Sequence, residues 1–468
     1  MPARRSTATP PTPPTPPSSP ASPRSAKGGD AQGASILIRG GRVIDPASRT
    51  DKVMDVAISG GVIAAMGKNL PSSPAQRVID ATGCIVAPGL IDPHVHLREP
   101  GQEAKETIAS GTSAAVSGGF TSVCCMPNTS PALDTPEMLA FVHQRAVATG
   151  VCRVFPVAAA TRGRKGEEPT EISLMASRGL HHGACAFSDD GDGIASAGVM
   201  LRVLSAIKPT GRAFMQHAQD PTLTRGASMH AGSISMKLGL GGWPRVAEEI
   251  MVERDVRLNA SVGCKYHVQH ISSAGTVEII RRARKAGIPV SGEASPHHQL
   301  LTHEACAEYH TLAKVNPPLR EKADAEALAK GLADGTITVL ATDHAPHTAE
   351  EKDLPFEEAP FGLIGLETAL ALYIEALITP GVLRWPKVIE MMTVNPAALC
   401  GLDALGLGRL AVGGPADVTV IDPDLRWTIS LADLVGRSRN TPFLGRAVQG
   451  RSIATIVAGE VRHERPRG

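Results

Sequence analysis

The sequence predicts an α/β protein, a (β/α)8 TIM barrel with a small β-sandwich domain built from both chain ends. Between residues 88 and 402, short apolar runs alternate with helix-like segments, as expected for a parallel barrel. Strand-rich flanks at residues 35–87 and 403–468 enclose this centre. Barrels of this type place their chemistry at the carboxyl ends of the strands. Polar clusters follow the apolar runs here in the motifs HVHLR, MPN, SDD, QHAQD, HISS, ASPHH and TDHAPH.

Composition excludes several classes of protein. The 47 lysines and arginines balance 46 aspartates and glutamates, so neither nucleic acid nor an anionic membrane is an expected partner. Eight scattered cysteines without a Cys-x-x-Cys pair are typical of reduced thiols in a cytoplasmic protein. No apolar run is long enough for a transmembrane helix, and the N-terminus lacks the apolar segment of a secretory signal. We therefore expect a cytoplasmic location.

The N-terminal tail, residues 1–34, is dominated by proline, serine, threonine and alanine. Such a segment buries too little apolar surface to offset the entropy of ordering it, so we predict disorder with polyproline II character.

The two flanks consist of short strand-like runs separated by turns. In the first, Gly40–Gly41 and Gly60–Gly61 predict hairpin turns. The second flank has the same character, and neither contains a cluster of reactive side chains. We expect the resulting domain to support the barrel.

The barrel opens with the motif IDPHVHLREPG. The preceding apolar run, Cys84–Ile91, predicts a strand. His94 and His96 are two residues apart, so on a strand both imidazoles face the same way and can reach one metal ion. Arg98 follows in phase. The pattern predicts a metal site beside an arginine that binds an anion.

Further candidate ligands follow the later strands. Asp189 and Asp190 are adjacent, and such a pair is also typical of a turn or a helix N-cap. His267 and His270 are three residues apart, so only one of them is expected to face the barrel axis. The remaining candidates are His217, Asp343, His344 and His347. Nitrogen and oxygen ligands together suit zinc.

These residue types favour one class of chemistry. A zinc ion activates water at neutral pH, and an aspartate beside it, for which Asp343 is the candidate, can carry the proton. Arg98 offers a planar fork for a carboxylate. Asn128 and Asn316 supply neutral amides that can orient a polar substrate. The residues thus predict metal-assisted hydrolysis, or its reverse, on a small anionic amide.

From about residue 36 onward, the chain resembles the dihydroorotases of the amidohydrolase superfamily. The motifs that carry the resemblance are DPHVHLREPG, MPNT, FSDDG, KVNPPLR, TDHAPH and EAPFGLIGLET. It is similar in particular to the bacterial type whose metal-bridging ligand is an aspartate. The resemblance implies zinc-dependent, reversible cyclisation of N-carbamoyl-L-aspartate to L-dihydroorotate in de novo pyrimidine (UMP) biosynthesis, with one or two Zn²⁺ ions per chain.

The resemblance also assigns roles to residues. It implies that His94 and His96 bind one metal, that Asp190 bridges two, and that His217 and His270 complete the second. It makes Asp343 both a metal ligand and the proton shuttle. The substrate would be held by Arg98, Asn128, Asn316 and His347, with main-chain contacts near Phe361 and Gly362. Pro93 and the proline-rich tail depart from the family pattern.

Two alternatives stand beside this prediction. One is another cyclic amidase, a hydantoinase or allantoinase, but those enzymes typically bridge their metals with a carboxylated lysine, and the FSDD motif has none. The other is a non-catalytic dihydroorotase-like subunit of aspartate carbamoyltransferase. Such subunits lose metal ligands, which this chain retains. An active enzyme could also associate with that transferase, and we expect a homo-oligomer.

Overall fold

The computed structural model describes residues 35–466, in which a parallel barrel adjoins a separate sheet formed by both ends of the chain. The tail for which disorder is predicted, residues 1–34, lies outside the described residues. The N-terminal strands are β1 (Ile36–Asp45), β2 (Thr50–Ser59), β3 (Val62–Gly67), β4 (Arg77–Asp80) and β5 (Ile85–Pro88). The central strands are β6 (Leu90–Val95), β7 (Phe120–Cys125), β8 (Arg153–Ala159), β9 (Ala186–Ser188), β10 (Ala213–Gln216), β11 (Met229–His230), β12 (Gly242–Trp243), β13 (Lys265–Val268), β14 (Val290–Ala294) and β15 (Val339–Leu340). The C-terminal strands are β16 (Val418–Thr428), β17 (Ala447–Val457) and β18 (Glu460–Glu464).

The barrel consists of eight parallel strands in the order β6-β7-β8-β9-β10-β13-β14-β15. It is nearly closed by a parallel bridge between Val95 and His344, where the His96 amide donates to the His344 carbonyl at 2.8 Å. The strands β11 and β12 form a separate two-stranded ribbon. The predicted (β/α)8 barrel is therefore confirmed.

Fourteen α-helices occur in the described range, and most of them connect the barrel strands. They are α1 (Ile108–Gly118), α2 (Pro136–Thr149), α3 (Ile172–Ser177), α4 (Ala197–Ile207), α5 (Pro221–Thr224), α6 (Ser233–Leu238), α7 (Val246–Val262), α8 (Ala274–Lys285), α9 (Pro296–Leu300), α10 (Lys322–Ala333), α11 (Ala349–Lys352), α12 (Ala369–Tyr373), α13 (Trp385–Met392) and α14 (Val394–Cys400). Among them, none is both long and apolar enough to span a membrane.

The chain-end sheet has the order β18-β17-β16-β5-β1-β2-β3, and β4 pairs with β1. Because side chains alternate across a strand, neighbouring residues enter different cores. Ile44 and Ile421 join the core that includes the barrel, whereas Val43 and Val420 belong to a second core within the sheet domain. The sheet thus supports the barrel with one face and stabilises itself with the other.

One predicted hairpin turn is wrong. Gly40–Gly41 lies inside β1 as an irregularity in the pairing with β2, and Gly40 has a φ of 70°. The chain instead turns between β1 and β2 at Pro46–Arg49. The other predicted turn, Gly60–Gly61, does connect β2 and β3, and both glycines have positive φ.

The predicted strand over Cys84–Ile91 is two strands in two sheets. β5 pairs with β1 and β16 of the chain-end sheet, and β6 begins the barrel after Gly89. A side chain at Gly89 would collide with Thr121, so glycine permits the close approach at this junction. Because both strands are buried, their residues form one continuous apolar run, and the sequence does not show where the first strand ends and the second begins.

Candidate metal centre

The carboxyl ends of the barrel strands bring four histidines and two aspartates together. His94 and His96 follow in phase at the end of β6, and their Nε2 atoms lie 3.3 Å and 3.4 Å from the Asp190 carboxylate. His94, His96 and Asp190 therefore form one group of possible ligands, and all three are buried.

A second group shares Asp190 with the first. His217 Nδ1 and His270 Nε2 lie 3.4 Å and 3.6 Å from Asp190 Oδ1, and 2.8 Å from one another. Asp190 thus stands between the two pairs of histidines. Asp343 borders the first group, with its Oδ1 3.3 Å from His96 Nε2 and 3.5 Å from His94 Nε2.

This arrangement fits metal ions. With bonds of 2.0–2.1 Å to nitrogen and oxygen, neighbouring ligands around a tetrahedral zinc are about 3.3 Å apart. Most of the separations above fall near that value. Asp190 Oδ1 is buried and, within the described residues, accepts no hydrogen bond. An acceptor left without a donor in this position is suited to a cation.

Neighbouring acceptors orient three of the four imidazoles. His94 Nδ1 donates to Glu293 Oε1 at 2.5 Å, and His96 Nδ1 donates to Asn128 Oδ1 at 2.8 Å. In each case the other nitrogen, Nε2, faces Asp190 and can bind a metal ion once it has lost its proton. A carboxylate or amide behind a histidine ligand sets its tautomer and ring orientation.

His217 is also oriented by a neighbouring acceptor, but here Nε2 is the donor and Nδ1 is the nitrogen that faces Asp190. Its Nε2 donates to Gln219 Oε1 at 2.9 Å, which leaves Nδ1 toward Asp190. Gln219 Oε1 also accepts from Asn316 Nδ2 at 3.0 Å. One glutamine therefore connects a candidate ligand with a candidate substrate contact.

The structure shows which member of each pair, Asp189 or Asp190 and His267 or His270, lies in the cluster. Asp189 points away from the histidines and accepts from the Ala160 and Thr161 amides at 2.9 Å each, so it holds the end of β8. His267 contacts Ser291 Oγ at 2.7 Å and Glu293 Oε2 at 3.1 Å. Asp190 and His270, by contrast, lie in the cluster.

His344 is not brought into the cluster. Its Nδ1 accepts from the Gly365 amide at 3.1 Å, and its main chain closes the barrel. We therefore assign His344 a structural role, at the place where the first and last barrel strands meet.

The candidate substrate contacts surround a cavity of about 280 Å³ above the cluster. Arg98 Nε donates to the Pro346 carbonyl at 3.1 Å, and His347 Nε2 donates to the Phe361 carbonyl at 2.8 Å. Asn316 Oδ1 is buried and accepts no hydrogen bond from the described part of the chain. The cavity lining includes every predicted substrate residue: Arg98, Asn128, Asn316, His347, Phe361 and Gly362.

Charges in the cluster are strongly coupled. Burial raises the pKa of Asp343, but the charge of His94 and the contact with His96 outweigh it and hold that pKa well below its ordinary range. Burial likewise opposes ionisation of Glu293, yet His94 and His267 lower the pKa of Glu293 to about 2. Against the effect of burial, the histidines of the cluster hold the pKa of Asp190 well below its ordinary range. Asp190, Asp343 and Glu293 are therefore anionic together, and protons on the histidines or metal ions supply the positive charge that balances them.

Arg98 and His347 have distinct charge states. Burial lowers the pKa of Arg98 only to about 10, so its guanidinium stays positive at neutral pH. Burial and the charge of Arg98 lower the pKa of His347 to about 2, so its imidazole is neutral. Apart from the residues of the cluster itself, the cavity lining therefore presents one cation, Arg98, and neutral polar groups, which suits an anionic amide.

The backbone is strained at three residues of this site. Non-glycine residues rarely adopt positive φ, yet φ is 29° at His270, 51° at Asp343 and 61° at Arg98. Such conformations persist where the surrounding structure imposes them, and they cluster at functional sites.

Sequence reasoning missed several residues that hold the site. Glu293 and Gln219 orient histidines, and two buried lysines, Lys314 and Lys352, donate to main-chain carbonyls of the loop that contains Phe361. Gln219 lies in QHAQD and Lys314 in KVNPPLR, but neither motif indicates what these side chains contact. Glu293 and Lys352 lie in none of the quoted motifs, and only their positions after barrel strands could have suggested them.

Comparison with known proteins gives consistent matches. A family model described as dihydro-orotase-like matches residues 83–276. A dihydroorotase from Pelotomaculum thermopropionicum is 47% identical over 426 residues, which cover 91% of this chain and 98% of the relative. A dihydroorotase from Solibacter usitatus is 46% identical over 430 residues, 92% of this chain and 98% of the relative.

Among solved structures, an L-hydantoinase (dihydropyrimidinase) from Arthrobacter aurescens superposes with a TM-score of 0.81 at 25% identity, covering 93% of this chain and 97% of that one. A dihydropyrimidinase from Brevibacillus agri matches with a TM-score of 0.79, also at 25% identity, over 92% and 95% of the two chains. The overall architecture is thus similar to that of a hydantoinase and a dihydropyrimidinase.

Proposed function

The chain belongs to the dihydroorotase family, and from that premise we propose that it interconverts N-carbamoyl-L-aspartate and L-dihydroorotate at the cluster around Asp190. The observation that carries this proposal is the position of the cluster. Two groups of ligands share one aspartate, directly beneath a small cavity that contains the Arg98 guanidinium.

We propose zinc as the metal, with His94, His96 and Asp343 at one position and His217 and His270 at the other. Asp190 would serve both positions, so one or two ions can be held. A metal ion at this place supplies Lewis-acid chemistry, because it lowers the pKa of water and polarises a carbonyl group.

Asp343 carries the proton in this proposal. It reaches the cluster on one side and lines the cavity on the other. In the hydrolytic direction, it takes a proton from the attacking water as the new C–O bond forms. It then delivers that proton to the ring nitrogen as the C–N bond breaks. Ring closure runs through the same steps in reverse and releases water.

Arg98 and Asn316 orient the substrate. The planar guanidinium of Arg98 can pair with the substrate carboxylate in a bidentate manner. The Asn316 amide donates through Nδ2 to Gln219, so its Oδ1 is directed to accept from a ring N–H group. His347, neutral and held by the Phe361 carbonyl, adds a polar contact without adding charge.

We propose a cytoplasmic homo-oligomer, and aspartate carbamoyltransferase is the one partner protein that the family resemblance raises. Size-exclusion chromatography of the purified chain, alone and mixed with that transferase, tests both points.

The experiment that tests the function measures turnover of L-dihydroorotate by its ultraviolet absorbance, together with the metal content of the same sample. Asp343→Ala should retain the fold and lose turnover. The matched control Asp353→Ala removes an exposed carboxylate and should leave the activity unchanged.

Two other outcomes would favour the rivals. Metal binding with turnover of hydantoins or allantoin, and none of dihydroorotate, would assign another cyclic amidase. If the protein bound no metal and showed no activity, even with added zinc and aspartate carbamoyltransferase, it would be assigned as a non-catalytic subunit.

A further inference from the structure

Three cysteines that are distant in sequence meet inside the barrel. Cys124 lies in β7, Cys185 directly precedes β9, and Cys400 is the last residue of α14. All three are almost completely buried and share an apolar cluster with interior residues of the barrel strands and with α14. This group contains none of the residues of the centre around Asp190.

The sulfur atoms are close enough to surround one ion. All three Sγ atoms lie within 4.8 Å of one another. With a Zn–S bond of about 2.3 Å, sulfurs around one zinc are about 3.8 Å apart. Side-chain adjustments of less than about 1 Å would therefore complete the geometry. The Phe155 carbonyl oxygen accepts from the Cys185 thiol at 3.7 Å, so one oxygen lies beside one of the three sulfurs.

The surroundings favour a divalent ion. Three thiolates with one divalent cation carry a net charge of −1, which is costly in an apolar interior unless it is paired. A Cβ at Gly401, next to Cys400, would lie 2.8 Å from an Arg212 side-chain nitrogen. Arg212 Nε is buried and, among the described residues, has no hydrogen-bond partner. A guanidinium therefore lies next to the residue that follows Cys400, where it can offset part of this charge.

We propose that Cys124, Cys185 and Cys400 form an additional, sulfur-ligated metal site for zinc or a related thiophilic divalent ion. Thiolate ligands select such ions over magnesium or manganese, which prefer oxygen. The site joins β7 and the residue before β9 to the end of α14. A metal bound there stabilises the folded state and takes no part in turnover.

The test uses cadmium as the probe on the reduced, full-length protein. Cadmium bound to thiolates absorbs in the ultraviolet through ligand-to-metal charge transfer, whereas the centre around Asp190 offers only nitrogen and oxygen. We expect this band to appear and to saturate. Cys400→Ser should abolish the band while dihydroorotase activity with zinc persists, which separates this proposal from the proposed function.

The matched control is Cys125→Ser. Cys125 is also buried and adjoins Cys124, but it faces a different core because side chains alternate along β7. This variant should keep the cadmium band.

Cadmium NMR of the wild type provides a second measurement that does not depend on the folding of any variant. A resonance in the sulfur-rich range, separate from that of the nitrogen and oxygen centre, is the expected result. A folded wild type with neither band nor sulfur-rich resonance would overturn the proposal. So would a band that survives in Cys400→Ser, or one that is lost equally in Cys125→Ser, and the three thiols would then be ordinary apolar packing.

Discussion

Glu293 is the residue on which the orientation of the cluster depends most. It accepts from His94, contacts His267, and accepts the main-chain amide of His270 at 3.1 Å. Three histidines thus converge on one buried carboxylate. Since a carboxylate behind a ligand fixes its geometry and raises its basicity, the effect of Glu293 should be seen in metal affinity.

Glu293→Gln keeps the shape of the side chain and removes its charge. We expect metal affinity to fall about 10- to 100-fold, the range found for such outer partners. Chelator competition measures this, and excess zinc should restore most of the turnover. Glu278→Gln, an exposed glutamate on α8, is the control. Unchanged metal affinity in Glu293→Gln would show that the carboxylate only fills space.

Asn316 offers a test on the substrate side. Its Oδ1 is buried without a partner in the described chain, and its Nδ2 is engaged by Gln219. Asn316→Ala removes one hydrogen bond to the substrate, worth about 1–2 kcal/mol, and should raise KM about tenfold with a smaller effect on kcat. Asn395→Ala, whose amide donates to the Thr338 carbonyl, is the control. A fall in kcat alone would instead place Asn316 in the chemical step.

These residues differ in how far sequence could predict them. His94 and His96 are visible because a spacing of two on a strand directs both rings one way. Asp190 and His270 needed the family resemblance, since spacing alone left Asp189 and His267 as alternatives. The role of Glu293 could not be predicted from the sequence, because a single glutamate in IPVSGEAS becomes a partner of His94 only when strands that are distant in sequence pack together.

The loop from Phe356 to Gly362 is held by two buried ammonium groups. Lys314 Nζ donates to the carbonyls of Phe356 at 2.6 Å and Ala359 at 2.7 Å. Lys352 Nζ donates to the carbonyls of Pro360 at 2.8 Å and Gly362 at 3.1 Å. These lysines thereby place the main chain that lines the cavity. They were not predicted, since lysine in a sequence ordinarily indicates an exposed surface.

Lys352 should make stability depend on pH. Burial, and then the charge of Lys314, lower the pKa of Lys352 to about 7 in the folded protein. An exposed lysine titrates near pH 10.4, so the unfolded chain binds more protons between about pH 7 and about pH 10. The free energy of unfolding therefore rises with pH across that window, by at most about 1.4 kcal/mol per pH unit.

Lys352→Met removes this contribution. Urea unfolding should show that the stability of the wild type relative to the variant increases from about pH 7 to about pH 10 and is constant below that range. Lys322→Met, at an exposed position on α10, is the control. A difference between wild type and variant that does not change with pH would contradict the lowered pKa of Lys352.

The whole molecule depends on the contact between the barrel and the chain-end sheet. The last turn of α1 leaves carbonyl groups without partners inside the helix, and side chains from the sheet satisfy them. Thr455 donates to the Val116 carbonyl and Thr419 to the Gly119 carbonyl, each at 2.6 Å. Arg465 donates to Ser117 Oγ at 2.6 Å. The sheet therefore acts as a cap for the first barrel helix.

The general architecture followed from sequence more readily than this contact. Alternating apolar and helical segments predicted the barrel, and the strand-rich flanks predicted a domain made from both ends. The junction at Gly89 and the contacts of Thr455 were not predictable, because they depend on which strand of one sheet lies against which helix of the other unit. Local sequence patterns indicate which residues are buried, but they do not indicate which strand or helix those residues contact.

Thr455→Val tests whether this contact stabilises the fold without taking part in catalysis. The substitution preserves the volume of a fully buried side chain and removes its hydroxyl. The Val116 carbonyl keeps the Gly119 amide as a partner, but the buried Ser452 hydroxyl, 3.1 Å from Thr455 Oγ1, loses one, so the loss should be about 1–3 kcal/mol. Urea unfolding should report this loss while kcat and KM for dihydroorotate stay at their wild-type values. Thr428→Val, at an exposed position of β16, controls for the change in side-chain type. A change in kcat without a change in stability would mean that the sheet influences the site rather than supporting the barrel.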